Sequence, residues 1–176
     1  MIVTMIAVIS LDGCLTRHDA AGATGWASPE DQDRYRTLSR ACDAHIFGAG
    51  TYRDHRDAFR QGVTPAIRKV VLTRDSTAFA DDVVPGQLEF SAEAPAVLIA
   101  RLAAEGHRRC AILGGGAIYG QYLGAGVVDE LHLTVEPLVF GNGVRLAGDA
   151  PIDAGFRLRD VERLNESTLF LTYDRK

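Results

Sequence analysis

The chain has 176 residues, 47% of them hydrophobic and 24% charged, with a formal net charge of −4. That balance belongs to an ordinary globular protein of one domain, residues 1–176, and excludes disordered and fibrous classes. The only basic pairs worth noting are Arg68-Lys69 and Arg108-Arg109, too few for a nucleic-acid surface.

Residues 2–9 form an apolar, β-branched run that predicts a central strand buried on both faces. The run is too short to span a bilayer and lacks a basic leader, so a cytoplasmic protein without membrane contact is expected. Residues 10–27 are rich in Gly, Asp, Thr and Ala without periodicity and predict a long loop, a kind of segment that usually carries function. Ser28-Pro29-Glu30-Asp31 predicts a helix start, with a serine cap, proline at the first position and acids facing the positive end. This helix should run to about Cys42, with Tyr35, Leu38 and Ala41 or Cys42 on one face.

Residues 44–47 predict a second strand, ending in the glycine turn Gly48-Ala49-Gly50-Thr51, which opens a polar helical segment. A third strand is expected over 67–73, closed by Arg74-Asp75-Ser76. Residues 93–105 read as an amphipathic helix with Val97, Leu98, Leu102 and Ala103 inward. A strand over 109–113 then meets Gly114-Gly115-Gly116, and a helix follows over 117–123. In residues 127–140, Leu131, Leu133 and Val135 alternate with His132, Thr134 and Glu136, which predicts an antiparallel or edge strand. Residues 157–164 and 168–173 predict a closing hairpin around Asn165-Glu166. The fold class is α/β: a mixed sheet flanked by helices, parallel early and antiparallel late.

The stretch from Ala111 to Gly120 carries the chemistry. A strand feeding glycines and then a helix brings backbone N–H groups together at the positive end of a helix dipole, a seat for phosphate; the alternative is a tight turn without a ligand. Gly114, Gly116 and Gly120 imitate the Rossmann fingerprint, but they lie late in the chain and one residue too far apart. No Gly-Lys-Ser/Thr follows either glycine turn, so a Walker loop is excluded. Three cysteines without a Cys-x-x-Cys pair and five scattered histidines supply neither a disulfide frame nor a metal cluster. Cys14, Cys42 and Cys110 are expected to be reduced, buried thiols.

Ser10-Leu11-Asp12-Gly13, the Gly48-x-Gly50-Thr51 turn, Val71-Leu72-Thr73-Arg74, Gly114-Gly115-Gly116 and Val128-Asp129-Glu130-Leu131, with Pro137 and Gly141-Asn142-Gly143, follow one another in this order. Together they resemble the C-terminal reductase domain of the bifunctional riboflavin-biosynthesis deaminase/reductase, over nearly the whole chain. The resemblance does not extend to the deaminase half or its zinc ligands. It implies a dihydrofolate reductase-like fold, dependence on NADPH, and a homodimer associated through the late strands. Hydride would pass to a pyrimidine-linked ribose or to a pterin.

By the same resemblance, Val8 offers main-chain groups to the carboxamide, Trp26 lies by the nicotinamide, and Thr51 anchors phosphate. Gly114, Gly115, Gly116 and Ala117 hold the pyrophosphate, and Thr73 and Arg74 meet the adenosine 2′-phosphate. Arg74 is otherwise a solvated turn residue, and Asp12 is expected to stabilise its loop turn. On the substrate side, Thr24 and Arg40 match positions that bind the substrate and its ribose phosphate, with Arg60 a weaker second cation. Arg40 at a helix end equally suits a role in compensating the dipole. Asp31 has the spacing of the pterin-binding carboxylate of dihydrofolate reductases, a catalytic proton-relay acid, or is simply a helix-start acid. Two departures touch the substrate pocket: Leu113 stands where the riboflavin reductases often carry glutamate, and Thr51-Tyr52-Arg53-Asp54-His55-Arg56-Asp57 replaces an expected Asp-Asp-Pro.

Overall fold

A computed structural model describes residues 1–18, 25–148 and 151–176. In chain order the strands are β1 (Ile2–Ser10), β2 (Ala44–Gly48), β3 (Arg68–Leu72), β4 (Leu88–Ser91), β5 (Arg109–Ile112), β6 (Glu130–Glu136), β7 (Phe156–Arg163) and β8 (Leu169–Arg175). The helices are α1 (Pro29–Arg40), α2 (Ala49–Asp54), α3 (Arg56–Gln61), α4 (Pro95–Ala104) and α5 (Gly116–Gly124), with a 3-10 helix over Thr77–Asp82. Among the described residues the strands form one eight-stranded sheet, ordered β4-β3-β2-β5-β1-β6-β8-β7. The first six run parallel, β8 is antiparallel to β6, and β7 is antiparallel to β8. The fold is therefore the expected α/β sheet, parallel early and antiparallel late.

Each face of the sheet has its own apolar layer, as the near-continuous hydrophobic runs of β1, β2 and β5 require. On one side Met5, Ile46 and Ile112 pack with Leu98 and Leu102 of α4 and Tyr122 of α5, all fully buried. On the other, Ile6, Phe47, Val71 and Leu113 pack with Tyr52 of α2 and Phe59 of α3. Full burial of such a side chain contributes about 1.5–3 kcal/mol. Chain connections leave β1 and β5 toward opposite faces, through α1 and α5. A crevice therefore opens at the carboxyl ends of these strands, the usual ligand position in open α/β sheets.

The helix α1 matches its sequence signals: the Ser28 hydroxyl accepts from the Asp31 amide at 3.2 Å and Pro29 opens the first turn. Its start is also tied to the far side of the sheet. The buried Glu136 carboxylate accepts from the Ser28 amide at 2.8 Å and from the Thr168 hydroxyl at 2.7 Å. Asn165 donates to Glu30 at 3.2 Å, Arg34 pairs with Glu162, and the Arg34 guanidinium lies 4.8 Å from the Phe170 ring centroid.

Several local expectations are corrected. The strand expected over 127–140 is confined to Glu130–Glu136; it is antiparallel to β8, one of the two expected alternatives, but it is an interior strand, also parallel to β1, with Met5 opposite Leu131. Its alternation marks two buried environments: Leu131 and Leu133 join the core beneath α5, whereas His132, Thr134 and Glu136 are buried on the opposite face, toward α1. In α4 the inward stripe is Leu98 and Leu102, while Val97 is 57% exposed and Ala103 also faces water. The expected loop over 10–27 is partly stitched down, with isolated bridges joining Cys14 to Arg145 and His18 to Gly143. The sequence reading missed α3, the 3-10 helix and β4. The three cysteines are free and buried, as expected.

Candidate active site

A cavity of about 750 Å³ opens at the carboxyl edge of the sheet. Val8 and Leu113 contribute to its wall beside Gly114 and Gly115, with Thr51 from α2 nearby, and Asp31, Tyr35 and Arg40 approach from α1. The parallel strand order brings these residues together from four separate parts of the chain.

Both glycine turns meet at the rim. The Gly48 amide donates to the Gly114 carbonyl at 2.8 Å, so the starts of α2 and α5 lie side by side. Gly48 and Gly115 occupy the N-cap positions, and neither has a side chain to satisfy the helix amides. In α5 the Ile118 and Tyr119 amides turn back to the Gly115 carbonyl at 2.9 and 3.0 Å. The amides of Gly116 and Ala117 have no such partner among the described residues. A Cβ on Gly116 would lie 2.7 Å from the Arg145 carbonyl oxygen, so only glycine fits there. At Gly115 the nearest atom would be Thr51 Oγ1 at 3.8 Å, which leaves open space in front of the amides. The Gly114–Gly115 peptide is cis, with Gly114 at φ +106°. Beneath it the buried Tyr119 hydroxyl donates to the Ile6 carbonyl at 2.5 Å. Free amides at the positive end of a nine-residue helix, with room in front of them, suit a phosphate.

The acid of the site is Asp31, buried in the first turn of α1. Burial lifts its carboxyl above the ordinary carboxylate range, the nearby Glu136 charge adds to the rise, and the Thr134 hydroxyl opposes it. Tyr35, one turn on, is pushed up to about 12, mainly by burial and then by Asp31. A carboxyl that keeps its proton beside a cavity can act as a donor.

The remaining predicted residues divide by position. Val8, Thr51, Gly114, Gly115, Asp31 and Arg40 line the cavity; Gly116 is buried behind the glycine turn and Ala117 is exposed at the start of α5. Trp26 is half-buried and does not line the cavity; its ring is edge-on to Phe140 at 5.0 Å between centroids, with Nε1 buried and without a partner among the described residues. Thr73 and Arg74 lie outside the cavity, just past the end of β3 and two strands from β5. The Thr73 hydroxyl receives the Asp75 amide at 3.2 Å, and Arg74 is exposed without a carboxylate in ion-pair range among the described residues. Arg60 is directed to the buried Asp82, at 3.6 Å, and does not line the cavity. Asp12 is the turn residue expected: it accepts from the Ser10 hydroxyl at 2.5 Å and from the Gly141 amide at 2.7 Å. These bonds, the Ser10 hydroxyl first, hold its carboxyl at about 2. Thr24 lies outside the described residues.

The sequence reading also missed His45 and Lys69, which line the floor of the cavity. A signal was present in His45, a polar residue flanked by Ala44, Ile46 and Phe47 in a buried strand.

The description "RibD C-terminal domain" matches residues 1–170. An uncharacterised Bacillus subtilis protein, YwjB, is 26% identical over 164 residues, covering 90% of each chain. A pyrimidine reductase-like protein from Corynebacterium diphtheriae has a similar structure, with TM-score 0.76 at 19% identity, over 99% of this chain and 92% of that one. The Thermotoga maritima diaminohydroxyphosphoribosylaminopyrimidine deaminase/5-amino-6-(5-phosphoribosylamino)uracil reductase aligns with TM-score 0.77 at 16% identity. That match covers 99% of this chain and 56% of the Thermotoga chain, and both structural likenesses concern the fold.

Proposed function

The chain belongs to the RibD C-terminal domain family, and on that premise we propose that it is an NADPH-dependent reductase similar to 5-amino-6-(5-phosphoribosylamino)uracil reductase. The observation that carries this reading is the pair of uncapped helix starts, at Gly48 and Gly115, on the rim of a cavity that also holds a buried acid. Residues 1–176 act as one reductase domain in the cytoplasm. NADPH fits the residues present: the Gly115 cradle is open, and the Gly116 and Ala117 amides have no partner among the described residues. Gly114 to Ala117 and Thr51 would hold its pyrophosphate, Val8 and Trp26 its nicotinamide end, and Thr73 and Arg74 its 2′-phosphate. When bound it supplies a hydride.

The chain itself orients the substrate and manages the proton. Arg40, with Thr24, positions a phosphorylated pyrimidine, and the apolar Ile6, Val8 and Leu113 limit water near the reacting carbon. Asp31 is the one buried carboxyl on the cavity wall among the described residues; a pterin would take its proton from this acid, whereas the pyrimidine imine can take its proton from water. Consumption of NADPH with the phosphoribosylamino-pyrimidine as substrate tests the reading; no consumption with the wild-type protein at saturating reactants would sink it. A second reading, reduction of a pterin, is favoured by the cavity position of Asp31 together with the loss of a polar group at Leu113.

The preference for NADPH over NADH rests on Arg74. A charge-assisted hydrogen bond of roughly 1.5–3 kcal/mol gives roughly a ten- to hundredfold preference. Arg74→Ala should weaken NADPH by that factor and leave NADH nearly unchanged in a titration. Equal losses for both would show that Arg74 does not read the phosphate.

The working unit is a homodimer. On one face of the terminal hairpin Leu158 and Val161 are 49% and 51% exposed, opposite Tyr173 and Leu171 across the strand pair. Apolar rows of this kind mark interaction surfaces. Light scattering at a mass near one chain in dilute solution would reject the dimer.

A further inference from the structure

The floor of the cavity holds two basic groups that the cofactor does not require. His45 of β2 and Lys69 of β3 are direct cross-strand partners, and their side chains lie on the face covered by α1 and α3. The His45 ring is buried and its Nε2 meets the Ser39 carbonyl at 2.8 Å, which makes that nitrogen the N–H donor in the neutral ring and fixes its direction. Lys69 Nζ donates to the Gly62 carbonyl at 2.6 Å and lies 5.5 Å from the Phe59 ring centroid. This uses one of the three ammonium donors. Neither side chain has a carboxylate in ion-pair range among the described residues, and neither does Arg40 at the same end. The neighbouring Arg36 is already engaged by Asp33.

A cation drawn out of water without a counter-charge is costly, so buried charges are normally paired. Burial pushes both Lys69 and His45 down from their ordinary values, and Lys69 itself adds to the shift at His45. No carboxylate comes within ion-pair range of this cluster among the described residues; the exposed Asp54 lines the same cavity without pairing to it. Resting on the reductase reading, we propose that Lys69, with His45 and Arg40 beside it, seats the phosphate monoester of the substrate, and that Lys69 is the residue that selects it. A monoester carries close to two negative charges at neutral pH and three acceptor oxygens. Two negative charges match Lys69 and Arg40 better than a single carboxylate would, and the bound phosphate would draw a proton onto His45 Nδ1, giving that ring a donor as well. Lys69 thereby takes up the role for which Arg60, turned to Asp82, is not placed.

Ribose 5-phosphate is the probe, titrated calorimetrically against the wild-type protein, Lys69→Met and Lys69→Arg, with ribose and ribonate as controls. Lys69→Met keeps the aliphatic stem on Phe59 and removes only the charge. It should lose roughly ten- to hundredfold in affinity for ribose 5-phosphate, whereas Lys69→Arg should hold most of it. NADPH titrated into the same proteins should bind all three alike, which also reports that they are folded. Wild-type affinity in Lys69→Met, ribonate or ribose binding as tightly as the phosphate, or no binding of the phosphate at millimolar concentration would each overturn the assignment. Lys69-dependent phosphate binding in a protein that ignores NADPH would instead sink the reductase reading and leave the anion seat standing.

Discussion

Gly115→Asp is expected to abolish NADPH binding, by at least about a hundredfold, while the protein melts no lower than wild type. Gly115 is the N-cap of α5, with φ −83° and ψ −163°, a conformation open to any L residue. A Cβ there meets nothing closer than Thr51 Oγ1 at 3.8 Å, so the side chain enters free space. Aspartate is among the best N-cap residues and its charge suits the positive end of the helix, gains of a few tenths to about 1 kcal/mol. The same carboxylate would occupy the Ala117 amide and place a negative charge where the pyrophosphate belongs. Like charges so juxtaposed cost several kcal/mol, and ~2.7 kcal/mol is already a hundredfold. Gly115→Ala, which adds bulk without charge, should lose much less. If NADPH still raises the melting temperature of Gly115→Asp as it does that of wild type, the α5 start is not the phosphate seat.

Asp31→Asn separates the two substrate readings and has an opposite effect on stability. For a pterin, whose ring nitrogen must be protonated, loss of a positioned acid should lower kcat by roughly 10²–10⁴-fold. For the pyrimidine imine, whose proton water can supply, kcat should stay within a few fold. The Asp31 carboxyl is held above its ordinary value of 3.8, chiefly by burial and further by Glu136. The folded chain therefore keeps a proton that the unfolded chain has released. Stability tied to this group is fully present below the unfolded pKa and is lost as pH rises through the raised folded value. Asparagine does not ionise, so at neutral pH the variant should melt higher, by roughly 2–4 °C for ~1 kcal/mol in a chain of this size. A melting temperature that falls at pH 7 and is indifferent to pH would show that Asp31 is not a strained, buried acid. Retention of full pterin turnover would remove it from the chemistry.

Legibility in the sequence followed the range of the signal. The α1 start was readable because cap, proline and acids sit within four residues, and the glycine turns because a strand, three glycines and a helix are contiguous. β4 was missed because Leu88-Glu89-Phe90-Ser91 alternates over only four residues, too few to mark a strand. The alternation in β6 was visible, yet its meaning depended on partners remote in sequence: Glu136 is buried because Ser28 and Thr168 satisfy it, 108 and 32 residues away. The same holds for the site. The Gly114–Gly116 turn was visible as a local pattern and Thr51 was named through the family resemblance, whereas His45 and Lys69 become a pair only through the β2–β3 register. Asp82, which draws Arg60 off the cavity, lies 22 residues beyond it and carries no local mark.

The bonds that hold α1 divide the cavity between two parts of the sheet. Glu136 to Ser28, Asn165 to Glu30 and Arg34 to Glu162 fasten this helix to β6 and the terminal hairpin, whereas the glycine turns belong to β2 and β5. The helix that carries Asp31 and Arg40 is thus held at its start by β6 and the hairpin and at its end by β2, where the Ser39 carbonyl meets His45 Nε2. The spacing between the Asp31 carboxyl and the glycine turns is therefore set across the sheet, by the pairing that fixes β6 and the hairpin relative to β5 and β2.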